Sequence, residues 1–283
     1  MMKLRIGIPS KGRLAEVAAT LLREAGLSFR RQERGLFARC REMSVEVAFL
    51  RTDDIPVLCA EGAVDLGITG SDLVAESGVE VETRLALGIG KCRLAVCVPE
   101  DSGVTDPKQL DGQRIATSFP RLTQCFLEGL GARAHTVTLS GSVEIMVSLG
   151  VADAIVDLIE TGSTLAANQL RVLTEIGQYE TVLIQNSKQQ EAELVNRIVR
   201  RVNGVIIAKA YSLLEYNIPS AKLQEAERVT PGFESPTVGL LEETGWSAVR
   251  VMVRRNEVIE VMERLEALGA SAILETQIVN CRL

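Results

Sequence analysis

Residues Asp153 to Leu165 join an apolar run, spaced carboxylates and a hydroxyl-rich glycine turn in one short stretch, DAIVDLIETGSTL. Ala154, Ile155, Val156, Leu158 and Ile159 predict a buried strand that breaks into Thr161-Gly162-Ser163-Thr164, after which a helix opens at Leu165. A turn of this kind collects backbone N–H groups at the positive end of a helix, which suits a phosphate. Asp153 and Asp157 stand just upstream, Asp157 nearer the turn, and could hold sugar hydroxyls or a phosphate-bound metal. Carboxylates at an apolar strand end carry a solvation cost, which argues against a plain connection. The GxxxxGK[ST] spacing of a Walker loop is absent. Glu144, in Ser142-Val143-Glu144, could cap the following helix or orient a turn amide.

Three more loops fall at predicted strand ends. Lys11-Gly12-Arg13 could meet phosphates, or be two solvated charges. Arg51 with Asp53 and Asp54 could pair internally, with one Asp as a helix cap. Gly67 to Gly70, followed by Ser71-Asp72, opens another helix and suits an anion or a simple cap. Each loop is weak alone. Four such loops imply a polyanionic small molecule.

The elements that must position these residues alternate. Strand-like runs at Leu4–Pro9, Val45–Leu50, Val64–Gly70, Leu94–Val98, Arg114–Thr117, Thr136–Leu139, Ala154–Ile159 and Thr181–Gln185 are separated by helical patterns such as Leu14–Ala25. That alternation predicts an α/β layered fold. Gly88-Ile89-Gly90 and Gly177 suit hinge positions of a bilobal core with its ligand loops in one cleft. From about Ser212 the order becomes βαββαβ, with helices at Ala221–Val229 and Glu257–Leu268, which predicts a ferredoxin-like unit. It holds no concentrated chemical motif, so it reads as regulatory or oligomerising.

Composition narrows the classes. A chain of 283 residues with 46% hydrophobic and 24% charged residues can bury a sizeable core in two or three domains. A net charge of −6 argues against a general nucleic-acid binder. No secretory signal and no apolar run of roughly 18 residues is visible. The six cysteines include no CxxC pair, so reduced thiols in a cytoplasmic protein are expected. The one histidine, His135, has no partner motif, which argues for a structural role and against His-based triads.

Taken together, these residues resemble the long form of the ATP phosphoribosyltransferase family. The resemblance rests on Glu144, Gly150, Ala152, Ile155, Asp157-Leu158 and Thr161-Gly162-Ser163-Thr164-Leu165 at the family's signature spacing. Further matching blocks are LRIGIPSKGRL at the start, Phe49–Pro56, Asp65–Val74, Arg114–Pro120 and Gly269–Leu274, so the match spans essentially the whole chain.

The resemblance implies a bilobal, type II periplasmic-binding-protein-like core, with lobe I at residues 1–88 and 178–211 and lobe II at 89–177. It also implies an ACT-like regulatory domain at 212–283. The implied reaction joins N1 of ATP to C1 of phosphoribosyl pyrophosphate (PRPP) with inversion and release of pyrophosphate, aided by Mg²⁺ carried by the pyrophosphate and possibly met by Asp157. Asp153, Asp157, Glu160, Thr161, Gly162, Ser163 and Thr164 would bind PRPP, with Glu144 and Asp157 in support. Lys11, Gly12, Arg13, Arg51, Ser71 and Asp72 would face ATP or pyrophosphate. Phe119 stands where the family often has a tyrosine, leaving a ring that could pack on a base. L-histidine would be the feedback inhibitor, held by Asn217, Phe233, Ser235, Thr237 and Ala272, in dimers that assemble into hexamers. Asn217 replaces an aspartate found in some relatives, which removes a charge from that contact. A non-catalytic bilobal anion-binding protein and a PRPP transferase for another base are the alternatives.

Overall fold

The computed structural model describes residues 3–33, 35–187 and 192–282. The chain divides into two units, Met1–Thr20 with Leu27–Ala192, and Leu21–Gly26 with Glu193–Leu283. No helix among the described residues is long and apolar enough to cross a membrane.

The first unit holds two sheets. Its chain runs β1 (Leu4–Pro9), α1 (Arg13–Glu24), β2 (Phe37–Arg39), β3 (Val45–Leu50), α2 (Ile55–Ala60), β4 (Leu66–Gly70), α3 (Ser71–Ser77) and β5 (Glu82–Ala86). It continues through β6 (Cys92–Pro99), β7 (Arg114–Thr117), α4 (Pro120–Gly129), β8 (His135–Thr138), β9 (Ala154–Ile159), α5 (Ser163–Ala167), β10 (Leu170–Tyr179) and β11 (Thr181–Gln185). The lobe I sheet has the order β2-β3-β1-β4-β11-β5, and the lobe II sheet β10-β6-β9-β7-β8. In each, three neighbouring strands are parallel: β3, β1 and β4 in lobe I, and β8, β7 and β9 in lobe II.

Lobe II shows why its strands read as continuous apolar runs. Leu94, Val96 and Val98 pack with Ile115, Ala154, Val156, Phe119 and Leu127 on one face of the sheet. Ala95, Cys97, Ala116 and Ile155 pack with Val143, Leu165 and Leu170 on the other. Both faces are covered, so no polar alternation survives.

The chain leaves lobe I after β5 and returns at β11. The two crossings are stitched together, since Leu87 N–H donates to Thr181 O and Thr181 N–H donates to Ile89 O, each at 2.9 Å. Gly88 and Gly90 lie in the outgoing crossing with φ of 67° and 62°. Gly177 differs from the hinge expected of it: it lies inside β10, beside a register shift against β6.

The second unit contains α6 (Ala192–Ala210), β12 (Tyr211–Pro219), α7 (Leu223–Val229), β13 (Thr237–Leu240), β14 (Trp246–Arg254), α8 (Val258–Ala267) and β15 (Ser271–Gln277). Its sheet order β13-β14-β12-β15, antiparallel throughout, is the ferredoxin-like arrangement expected from βαββαβ. Leu214, Tyr216 and Ile218 alternate with more exposed residues and pack with Val249, Val251, Val253, Val258, Val261 and Leu265 under the helices. The Tyr216 hydroxyl is satisfied by Thr230 Oγ1 at 2.7 Å.

Candidate active site

Strand β9 lies between β6 and β7 and delivers its C-terminal turn to the cleft between the lobes. Gly162 has φ +82°, a left-handed conformation that costs a residue with a Cβ roughly 1–2 kcal/mol. The exposed hydroxyls of Thr161 and Ser163 lie 3.1 Å apart, and Asn168 Nδ2 donates to Thr164 O at 2.9 Å. Helix α5 is only five residues long. The turn's own amides and hydroxyls, more than a long helix dipole, must therefore supply the attraction for an anion.

Asp157 is half-buried, and its Oδ1 accepts from Leu158 N–H at 2.8 Å. Burial pushes its carboxyl above the usual range, the Leu158 N–H opposes this, and the negative charge of Glu144 raises it further. Glu144, in a short 3-10 turn from Val143 to Ile145, and Asp157 line a cavity of about 390 Å³ with Thr161, Gly162 and Thr164.

A second cavity of about 590 Å³ opens between the lobes, lined by Arg13, Thr52, Gly70, Asp72 and Lys91 among others. Cys92, Leu158 and Glu160 line both cavities, so the two are contiguous. Arg13 Nη2 meets Glu160 Oε1 at 2.5 Å, an ion pair that joins the loop after β1 to the turn after β9. Asp72 is buried, which drives its carboxyl above the usual range against two helix-start N–H groups, with Asp53 raising it further. The Cys92 thiol is pushed up to about 11, first by burial and then by Asp72 and Glu160, the carboxylates on its two sides.

The structure thus brings Glu144, Asp157, Glu160, Thr161, Gly162, Thr164, Arg13 and Asp72 to one contiguous space, with Ser163 in the same turn. Lys11, Gly12 and Arg51 stand exposed in the neighbouring loops without lining either cavity. Ser71 is turned to the crossing: its hydroxyl accepts from Glu180 N–H at 3.1 Å, and its own N–H donates to Glu180 O at 2.9 Å.

Two expectations are corrected. Asp153 precedes the first residue of β9, roughly 20 Å of extended strand from the turn. There Arg114 holds it through Nη2 to Oδ1 at 2.8 Å, Nε to Oδ2 at 3.2 Å and its backbone N–H at 2.9 Å. The guanidinium holds that carboxyl below the usual range. Phe119 is 5% exposed and sits in the lobe II core, its N–H bonded to Thr117 Oγ1, so its ring is not open to a base.

Arg31 is a residue the sequence reading did not name. Its Nη1 donates to Ser10 O at 2.7 Å, and its guanidinium lies 4.3 Å from the Phe49 ring centroid. An arginine fixed beside the loop after β1 adds cationic potential there. The chain separation of 21 residues between Ser10 and Arg31 hides this from any local motif.

In the second unit, Asn217, Thr237 and Ala272 line a cavity of about 380 Å³ with Glu215 and Arg250. Ala272 has φ +49° where β15 slips register against β12 between Glu215 and Asn217. Non-glycine residues in this region carry a cost of about 1–3 kcal/mol and cluster at ligand sites. Phe233 and Ser235 are exposed and do not line this cavity; the Phe233 ring packs edge-on against Tyr211 at 5.4 Å.

Chemically, the cleft offers a hydroxyl and amide turn for a phosphate, a half-buried carboxylate beside it, and an arginine whose partner is an acid. Among the described residues no cluster of three or more His, Cys, Asp or Glu side chains could hold a metal ion. Asp157 and Glu144 are the acids that share the turn's cavity with Glu160.

Comparison with known proteins agrees with this geometry. The family model HisG: ATP phosphoribosyltransferase matches residues 51–204, and HisG, C-terminal domain matches residues 208–280. An ATP phosphoribosyltransferase of Rhodopirellula baltica is 63% identical over 99% of this chain and 94% of its own. That of Saccharopolyspora erythraea is 42% identical over 99% of this chain and 100% of its own. A solved chain of the ATP phosphoribosyl transferase (HisG:HisZ) complex from Thermotoga maritima superposes with TM-score 0.65 at 30% identity, covering 72% of this chain and 98% of that one.

Proposed function

The chain belongs to the ATP phosphoribosyltransferase family, the first enzyme of histidine biosynthesis, and from that premise we propose how its cleft performs the transfer. The 5′-phosphate of PRPP sits in Thr161–Thr164, and Asp157 holds the ribose hydroxyls. ATP enters from the lobe I side, near Gly70 and Asp72. N1 of its adenine attacks C1 of PRPP with inversion, the C1–O bond to pyrophosphate breaks, and pyrophosphate leaves. No covalent enzyme intermediate is needed. The catalytic contribution is alignment of two anions and stabilisation of charge on the leaving group.

The observation that carries this reading is the shared wall of Cys92, Leu158 and Glu160, which joins a phosphate-sized turn to a larger inter-lobe cleft. Arg13, paired with Glu160, and Lys91 are cations of the cleft wall suited to the departing pyrophosphate. Lys11 and Arg51, exposed in the loops after β1 and β3, add positive charge beside the cleft without lining it. Mg²⁺, when bound, neutralises the pyrophosphate; Asp157 and Glu144 are the protein groups suited to meet it.

The test is pyrophosphate release on mixing protein, Mg²⁺ and PRPP with ATP or with other bases. Release with ATP alone supports the reading. Release only with another base favours a different PRPP transferase, and binding without release favours a non-catalytic anion-binding protein.

L-histidine is proposed as feedback inhibitor, on the strength of the cavity at Asn217, Thr237 and Ala272 and the strained backbone of Ala272. We further propose a cytoplasmic homo-oligomer, with dimers assembling into hexamers.

A further inference from the structure

Helix α3 begins in the cleft and ends on the other lobe. Asp72 lines the cleft, while Leu73 lines it too and packs against the lobe II core. One turn later Glu76 reaches across: its Oε1 accepts from Arg121 N–H at 2.8 Å and its Oε2 from Leu122 N–H at 2.9 Å. These are first-turn amides of α4, orphan donors that any helix start must satisfy. Arg121 answers in the opposite direction, with Nη1 donating to Ala75 O at 2.8 Å near the end of α3. Each lobe therefore caps a helix end of the other, acid on the positive end and cation on the negative end. The C-cap Gly78, with φ +64°, makes room: a Cβ there would overlap the Arg121 guanidinium.

We infer that Glu76 and Arg121 are positioning residues for the transfer. Their exchanged caps set the spacing between the ATP side of the cleft, carried by α3 through Asp72, and the PRPP turn on β9. Neither side chain lines the two cleft cavities, so they act through lobe spacing. This rests on the proposed reading of the cleft, in which the 5′-phosphate and ribose of PRPP lie on lobe II and ATP on the lobe I side. A misplacement of about 1 Å between reacting groups can cost about a hundredfold in rate.

The test uses the full-length enzyme with Glu76→Ala, Glu76→Gln and Arg121→Ala. PRPP binding in the absence of ATP is measured by calorimetry, and pyrophosphate release by steady-state kinetics. Because the turn that takes the 5′-phosphate lies wholly in lobe II, Glu76→Ala should lower kcat by about ten- to a hundredfold, a clearly larger factor than any rise in the PRPP Kd. Glu76→Gln, which keeps one acceptor, should fall between, and the double variant should be no worse than the weaker single one. Unchanged kcat in Glu76→Ala would overturn the inference. So would a loss of PRPP binding in step with kcat, which would mark a merely structural role. Failure of the underlying reading is distinguishable, because the parent enzyme would then release no pyrophosphate from ATP and PRPP.

Discussion

Arg13 and Glu160 meet at 2.5 Å across the cleft, one from each lobe, with 76% and 52% of their side chains exposed. An anion entering between them must compete with Glu160 for Arg13. Exposed pairs of this kind contribute about 0.2–1 kcal/mol. Glu160→Gln should therefore tighten inhibition by pyrophosphate by up to about fivefold. A weakened or unchanged inhibition constant would mean that the pair does not gate the anion.

The hydroxyl of Thr164 is expected to bond the PRPP phosphate. Thr164→Ala should raise the KM for PRPP by roughly ten- to a hundredfold, from loss of about 1.5–3 kcal/mol, with a smaller change in kcat. Kinetics like those of the parent would show the turn to be structural.

Asp157 should govern the acid limb of activity. Its folded carboxyl lies above the ordinary 3.8, so activity should fall at a pH higher than an ordinary carboxylate would give. Glu144→Gln removes the like charge and should move that limb to lower pH. The stability sign runs the other way. The folded state binds this proton more tightly than the unfolded chain does, so stability is lost as pH rises from 3.8 through the folded value. Asp157→Asn should thus melt higher at pH 7 while lowering kcat by at least about tenfold. Thermal melts and a pH–rate profile measure both effects.

Asp153 supplies the control. Held by Arg114 at the far end of β9, it should contribute to stability at neutral pH and lose that contribution as pH falls through its depressed folded value. Asp153→Asn should leave kcat and the KM for PRPP within about twofold. A large kinetic loss would return it to the site.

In the second unit, Asn217→Asp should strengthen inhibition by L-histidine about tenfold, because a carboxylate adds charge to a contact with the ligand's amino group. Inhibition curves that stay flat to millimolar histidine for parent and variant alike would reject the regulatory assignment.

The residues explain why some of this was legible in advance. β9 and its turn stand out because an apolar run buried on both faces ends abruptly in Thr-Gly-Ser-Thr. The ferredoxin-like unit stands out because Val249, Val251 and Val253 alternate over a one-sided sheet. β10 was not anticipated, since Arg171, Thr174, Glu175 and Gln178 interrupt its apolar pattern and its pairing with β6 shifts register twice. The grouping of Asp153 with Asp157 failed because proximity in sequence does not say that a strand separates its two ends. Phe119 read as a site residue because its block matched, yet its ring faces the core. The cap exchange between Glu76 and Arg121 spans 45 residues and leaves no local pattern.

Strand β11 lies between β4 and β5 in the lobe I sheet, yet it is made only after all of lobe II. During synthesis, β4 and β5 must wait for it while the chain from Ala86 to Thr181 is translated, roughly 5–20 s at ordinary rates. Through that interval the nascent lobe I holds two strand edges without their shared partner, and such edges invite pairing with other chains. Lobe II, contiguous in sequence, is free to fold first. Vectorial synthesis therefore completes the inserted lobe before the lobe that hosts it.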